Sequence, residues 1–526
     1  MRKPLMERDA ENHLPIRCAL VEIFETAAYY QYNTHGMKPA GKQNAFAAMV
    51  AWVAILTNTY AQQLPTTGSV ESRLGKLELE NGYPTAATAK KMYDDIDFQR
   101  ACQAYLWALP MMGMVQWQDE QHDKFGAGNL DFVDYLTFTD KLGLLTANAT
   151  TPYLMAFPNM KETGPLVLEI PAGATAGGFT DFWQRPVSDT GQTGPDKGMG
   201  GKYLILGPDD PEMNPEGYRV FRSPTVNVFV GQRVLDPDKA KALALMAAIR
   251  LYPYSQADHP PATPHLRPDG RKWSGTQPRG LAYWEGVARF INEEPPHERD
   301  RMILGMLKPL GIEKGKPFEP DARQQQILIE AAEVGEVMAR TIGFEKRFKG
   351  VTVWPGKKWE ISLFLKETNQ EAPHYTEIDE RASWFYEAVG VSTGMMGRTV
   401  GFGQVYLESS KDKDGHWLDG SKSYTLHVPP DAPVAQFWSF TVYDNETRCF
   451  VDTGVQPDRS SRDKITKNDD GSTDLFFGPQ APAGKPESNW IQTLPGKGWF
   501  TYFRLYGPTQ PYFDRSWVLP DIEVLK

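Results

Sequence analysis

Cysteine is scarce in this chain: Cys18, Cys102 and Cys449 are the only three in 526 residues. None belongs to a CxxC pair or to a Cys/His spacing that ligates metal, so a cysteine-based zinc site has no support. Basic runs are missing as well. With a formal charge of −10 and no Lys/Arg-rich stretch, the chain lacks the electrostatic footprint for nucleic acid or an anionic membrane surface. No apolar stretch reaches the roughly 18 residues that read as a membrane span. A Walker loop, a complete GxGxxG after a strand, and HxH or HExxH pairs are absent too, so nucleotide cofactors and helical histidine metal sites have no sequence support.

What is present begins with an export signal. Lys38 and Lys42 follow Met37, Ala45 to Leu56 is uncharged and apolar, and Thr59-Tyr60-Ala61 offers a small-residue cleavage site. This pattern predicts a signal peptide over 37–61 and a periplasmic or secreted product starting near Gln62. An amphipathic surface helix or uncleaved anchor is the alternative. Residues 1–36 resemble no targeting segment and read as an over-extended start. Residues 1–61 carry six Lys/Arg and five Asp/Glu, so the remainder has a charge of −11. Cys102 and Cys449 survive cleavage, as one inter-domain disulfide or as two buried thiols.

Aromatic residues at 12%, with 46 Gly and 41 Pro, suggest a β-rich body with many ordered turns. Mean hydropathy of −0.47 agrees with a product that does not stay in the membrane after cleavage. Residues 62–82 read as a linker. Thr85 is a candidate helix N-cap, and a helical pattern over Asp97–Leu109 has Pro110 as its stop. Strand-like runs follow at Leu144–Leu154, Leu166–Ile170, Lys202–Gly207 and Tyr218–Val230. Between them, residues 171–201 are glycine-rich and read as a long, functional or disordered loop. Helical patterns return at Asp238–Arg250, Trp284–Asn292, Glu298–Lys308 and Ala322–Phe348, the last bridging two β domains. After Lys366 strands and turns resume, with hairpin signals at Asp414-Gly415 and Asp470-Gly471.

Several motifs fail on context. Gly390-Val391-Ser392-Thr393-Gly394 matches GxSxG, but a helix-like stretch precedes it where the nucleophile elbow needs a strand. Asp412-Lys413-Asp414-Gly415 and Thr466 to Phe477 look like calcium loops, but with Gly415 and Gly471 at the sixth position the twelfth is Ser421 or Phe477, where a bidentate Glu is required. His259 and His265 flank a Pro-rich loop without a partner pattern.

Longer motifs carry a family resemblance. Tyr83-Pro84-Thr85, Asp97-Phe98-Gln99-Arg100-Ala101, Tyr105 to Pro110, Gly113-Met114, Gly194-Pro195-Asp196, Gly200 to Leu204 and Arg233 resemble the DUF1254 family. Phe437-Trp438-Ser439, Tyr443-Asp444, Thr447-Arg448, Gly471-Ser472, Gly478-Pro479, Asn489-Trp490, Gly498-Trp499-Phe500, Arg504, Tyr506-Gly507-Pro508 and Asp514 resemble the companion DUF1214 domain. The likeness implies an α+β, β-rich chain of two β-sandwich or jelly-roll-like domains with accessory helices, at 83–250 and 367–526. A helical connection at 251–366 lies between them. It also implies a bacterial envelope or secreted protein that forms homo-oligomers. It assigns no activity.

Candidate chemistry sits in two places. In the first domain, Asp189 and Asp196 are candidate acid/base carboxylates, with Lys202 and Tyr203 as ligand contacts. The alternative for Asp196 is a cap on its own turn. In the second, Asp444, Arg448, Asn489, Trp490, Arg504 and Tyr506 suggest a pocket for an anionic or hydroxyl-rich ligand, because arginine pairs bidentately with carboxylates and aromatic faces stack on sugars. Structural ion pairs at strand ends are the alternative. Three function classes follow: a hydrolase or lyase acting on a glycan, ester or polar small molecule; a polar-ligand or glycan-binding protein; and an envelope structural protein. No cofactor is evident, and a divalent metal on the loop carboxylates stays open.

Overall fold

The computed structural model describes residues 64–526, so the export signal read at 37–61 lies outside the described residues. Two compact units divide the chain, one ending at Lys90 and one running from Lys91 to Lys526. In the first, the stretch read as a linker contains an antiparallel three-stranded meander of Gly68–Ser72, Gly75–Glu80 and Tyr83–Pro84.

A 40-residue helix, Ala86–Phe125, follows. Thr85 caps it, its hydroxyl accepting from the Thr88 amide at 3.3 Å. Pro110 does not stop it. Proline inside a helix costs about 3 kcal/mol through a lost amide and a crowded carbonyl. Here every residue from Ala104 to Val115 is buried, and that burial offsets the cost.

The second unit is α+β, with two pairs of sheets. A six-stranded sheet has the order His265–Leu266, Phe132–Tyr135, Tyr153–Ala156, Val228–Val234, Thr175–Asp181, Pro186–Gly191. A four-stranded sheet runs Tyr218–Arg222, Gly201–Leu206, Leu166–Ile170, Arg250–Pro253. One face of each contributes to a common core that includes Leu154, Phe179, Val228 and Val230 from the larger sheet and Leu168, Tyr203, Ile205 and Leu251 from the smaller.

Nearer the C-terminus, a five-stranded sheet has the order Glu360–Ile361, Gln404–Ser409, Trp499–Pro508, Val434–Asp444, Asp458–Ser460. It shares a core with a four-stranded sheet of Trp490–Gln492, Thr473–Gly478, Tyr424–Val428 and Glu523–Val524. Leu281–Glu293, Ala322–Phe344, Ile378–Glu387 and the first long helix supply a further core that reaches both pairs of sheets. A capping box of Asp321 and Gln324 starts Ala322–Phe344, which ends four residues before the predicted boundary.

Two segments differ from their sequence reading. Residues 171–201 are not a structureless loop, because Thr175–Asp181 pairs with Pro186–Gly191. Their glycines permit close strand approach: a Cβ on Gly177 would lie 2.3 Å from the Gly231 carbonyl, and one on Gly178 2.6 Å from the Ser188 carbonyl. Leu144–Leu154 forms a strand only from Tyr153 onward. Its earlier backbone groups are satisfied by side chains instead: Lys141 Nζ donates to the carbonyls of Asn148 (3.1 Å) and Thr151 (2.6 Å), and the Asn148 amide donates to the Tyr153 hydroxyl (2.9 Å).

The strands that matter most are buried on both sides, and their two faces differ in chemistry. In the five-stranded sheet, Val405, Leu407, Phe440, Val442, Phe503 and Leu505 enter the core shared with its companion sheet. The alternate residues, Tyr406, Glu408, Thr441, Tyr443, Tyr502, Arg504 and Tyr506, emerge on the other face. The six-stranded sheet divides likewise: Phe179, Val228 and Val230 point to its own core, while Tyr153, Met155, Asp189, Phe229 and Arg233 lie on the opposite face.

Candidate functional site: a cavity between two polar sheet faces

These second faces line a cavity of about 350 Å³. Gly178, Gly231 and Ala176 leave room on the six-stranded sheet, and Trp384, Val389, Val391, Met395 and Phe402 close the sides from the helix and loop that follow. The wall is mostly apolar, with polar groups concentrated at two places.

The first is an arginine–phenol cluster. Arg233 reaches across from the six-stranded sheet, with Nη1 3.4 Å from Gln404 Oε1 and its guanidinium carbon 5.1 Å from the Tyr153 ring centre. The Tyr153, Tyr406 and Tyr506 phenols are its other polar neighbours. Most of its five donors are therefore open to a ligand. Arg504, from the five-stranded sheet, is committed: Nη1 donates to Tyr443 OH (2.7 Å) and Thr441 Oγ1 (3.1 Å), and Nη2 to the Thr146 carbonyl (2.6 Å). It fixes the 144–152 segment as a cavity wall and adds positive charge. Asn148 Nδ2 donates to the Tyr506 hydroxyl, and the Tyr506 ring stacks on Phe437 at 3.9 Å. Burial holds the Tyr406 and Tyr506 phenols above their ordinary pKa despite both guanidiniums, so they stay neutral.

The second place is Asp189. It pairs across the strands with Gly178, which pairs with Gly231, two residues before Arg233. Strand spacing and rise put the Asp189 and Arg233 Cα atoms roughly 12 Å apart on one face. Burial pushes the Asp189 carboxyl up to about 6, against the pull of the Gly394 and Thr393 amides. Its Oδ2 has no hydrogen-bond partner. A carboxyl titrating there can exchange a proton near neutral pH or accept from a ligand hydroxyl.

Of the residues proposed from sequence, the fold brings Asp189, Arg504 and Tyr506 together around this cavity. The other seven lie elsewhere with structural partners. Asp196 is 3% exposed, accepting from Tyr203 OH at 2.5 Å and from the Gly200 amide at 3.1 Å. Tyr203 is core, and the Lys202 ammonium sits 5.8 Å from the Tyr218 ring. Asp444 caps its turn through the Glu446 and Thr447 amides at 2.7 and 3.1 Å. Arg448 stacks on Tyr386 at 4.2 Å and donates to the Gln277 side chain and the Tyr386 carbonyl. Asn489 bridges the Thr466 and Asp474 carbonyls, each at 2.8 Å, and Trp490 Nε1 donates to the Gly478 carbonyl at 3.0 Å.

Sequence reasoning passed over Tyr153, Arg233, Gln404, Tyr406 and Tyr502. Their signal is the period-2 alternation of Arg, Tyr and Gln with apolar residues inside strands. Ser392 of the GxSxG segment does line the cavity, but helix Ile378–Glu387 precedes it, a single 3₁₀ turn follows, and no histidine lines the wall. Cys102 and Cys449 are both buried free thiols. Among the described residues, no three His, Cys, Asp or Glu side chains are grouped to hold a metal ion, and no helix is long and apolar enough to cross a membrane.

Comparison with known proteins agrees with this two-part layout. The family model "protein of unknown function (DUF1254)" matches residues 132–253, and that for "protein of unknown function (DUF1214)" matches residues 403–510. No curated protein matches the sequence. Among solved structures, the VPA0106 protein from Vibrio parahaemolyticus aligns over 82% of this chain and 100% of its own, with 17% identity and a TM-score of 0.51. An uncharacterised protein from Burkholderia cenocepacia aligns over 83% of this chain and 97% of its own, with 12% identity and a TM-score of 0.39. The first shows a shared fold. One cavity wall comes from within each matched segment, and the chain carries a DUF1254 region followed by a DUF1214 region.

Proposed function

We propose that this protein binds a small organic anion, a carboxylate with an apolar body, in the cavity between its two halves. The observation that carries this reading is Arg233: a half-buried guanidinium with most donors uncommitted, ringed by neutral phenols in a mostly apolar wall. An unpaired buried charge is costly, and an incoming carboxylate supplies the missing partner. The volume suits a small molecule, with Asp189 placed to accept from a hydroxyl or amine at its far end. A hydrolase or lyase using Asp189 as acid/base is the second reading, favoured by its unpartnered oxygen and its titration near neutrality. Sandwich or jelly-roll connectivity, export, and homo-oligomeric assembly accompany this reading as family expectations.

The test is calorimetric titration of the purified chain with benzoate, phenylacetate and octanoate, beside their uncharged amides. Carboxylates should bind and amides should not, and Arg233→Gln should weaken binding roughly 10- to 100-fold, the value of a charge-assisted hydrogen-bond pair. Equal binding of acids and amides, or an indifferent Arg233→Gln, would remove the anion reading.

A further inference from the structure

Behind the cavity wall lies a second group of ionisable side chains that anion binding does not use. Lys346, which follows the helix Ala322–Phe344, is fully buried and faces three carboxylates: Glu408 at 2.6 Å, Glu387 at 3.6 Å and Glu360 at 3.7 Å. Glu387 ends the helix Ile378–Glu387, and its Oε2 accepts from Tyr502 OH at 2.7 Å. Tyr502 lines the cavity. Glu408 and Glu360 are directly opposed on adjacent strands of the five-stranded sheet. Glu387 and Glu408 are 1% and 2% exposed, while Glu360 is 28% exposed and open to solvent. Beyond these, Lys411 and Glu345 pair with each other at 2.7 Å on the Glu360 side, and Tyr443 is the nearest further phenol on the Tyr502 side.

Charge balance makes this cluster unusual. One ammonium cannot neutralise three carboxylates, and two adjacent buried carboxylates are too costly to keep both ionised. At least one proton is therefore held on Glu387 or Glu408. Burial and mutual repulsion raise Glu408, and burial raises Glu360 to about 7.

We propose that Tyr502, Glu387, Glu408, Lys346 and Glu360 form a proton reservoir with two mouths, one at the cavity wall through Tyr502 and one at the solvent through Glu360. The inference takes the cavity as the site but does not depend on the ligand being a carboxylate. A transfer balances as follows. Tyr502 releases its phenolic proton to a basic atom in the cavity while accepting one from protonated Glu387, so the phenol ends neutral and Glu387 ends as carboxylate. The Glu387 carboxylate so formed is reprotonated from solvent by way of Glu360 and Glu408. Lys346 remains an ammonium throughout and limits the charge that builds up.

The experiment is infrared spectroscopy of the full chain without ligand, in water and after transfer to D₂O. A protonated-carboxyl band should be present near neutral pH, decline as the pH is raised, and shift on deuteration while the protein stays folded. Glu408→Gln should weaken it, leaving the part that Glu360 and Asp189 contribute. Tyr502→Phe should shift it, by removing the hydrogen bond to Glu387, and both Tyr502→Phe and Glu360→Gln should slow deuteration. Absence of the band in the unmodified protein overturns the reservoir, and a band that resists deuteration in the folded protein overturns its mouths. Both results come from the unmodified chain, so they stand even where a variant fails to fold. A band unmoved by Tyr502→Phe overturns the connection to the cavity.

Discussion

Asp196 and Asp189 are seven residues apart and have different jobs. Asp196 is held by Tyr203 and Gly200 in a core corner, whereas Asp189 presents an unpartnered oxygen beside the cavity. Asp196→Ala should cost about 1–3 kcal/mol, the range for a buried hydrogen-bond partner left unsatisfied. Carboxylate binding should be unchanged once the variant is folded. Denaturant midpoints and titration on the same sample check both halves of that expectation. The arginines divide in the same way. Arg448 lies at φ 61° with its guanidinium stacked and bonded, so it is part of the scaffold, while Arg504 and Arg233 meet at the cavity. Sequence distinguishes none of these pairs, because an Asp beside a glycine turn and an Arg beside aromatics look alike until partners distant in the chain are known. Arg504 and Tyr506 were accessible through their strand; Arg233 carried only its family likeness.

At the scale of elements, local signals were legible where local physics decides. The cap read at Thr85 marks a true helix start; the Asp321 capping box was not read from the sequence, and Asp321→Ala should lower stability by about 1 kcal/mol in thermal unfolding through its loss. Where tertiary burial decides, the local reading failed. Pro110 is a sound stop signal overridden by the burial of every residue from Ala104 to Val115, and the 171–201 glycines serve strand contact. Gly191 makes the latter point testable. It has φ +68°, and a Cβ there would stand 2.3 Å from the Thr175 carbonyl. Gly191→Ala should therefore destabilise by at least about 1–3 kcal/mol. A midpoint unchanged from the parent would show that the hairpin can relax around the new methyl group.

For the molecule, the decisive feature is that one hydrophobic core includes residues of both matched segments and the helices between them, from Met155 and Phe229 to Tyr406 and Tyr502. Residues 91–526 should therefore unfold in a single calorimetric transition, and two resolved transitions would contradict the shared core. The Lys346 cluster sets a pH dependence of that stability. Burial lifts Glu360 to about 7 and also raises Glu387 and Glu408, against about 4.3 in an unfolded chain. Between those values the folded state binds more protons than the unfolded one, so this cluster's contribution to stability falls as the pH rises through about 4.3 to 7. Urea midpoints measured across that window should show a decline that flattens in Glu408→Gln. The α+β class and the two-part order were visible in the sequence. The cavity was not, because it is lined by strand faces that are distant in the chain and adjacent only in the fold.

The alternation along Trp499–Pro508 has a consequence for how such a protein can change. Phe503 and Leu505 pack into the core shared with the companion sheet, while Tyr502, Arg504 and Tyr506 face the cavity, and the two sets interleave one residue at a time. A lineage can thus change the lining of the cavity by substituting every second residue of a few strands while leaving the other register untouched. Relatives with the same architecture need not share a lining, and comparing that one register among them is the way to sort them by chemistry.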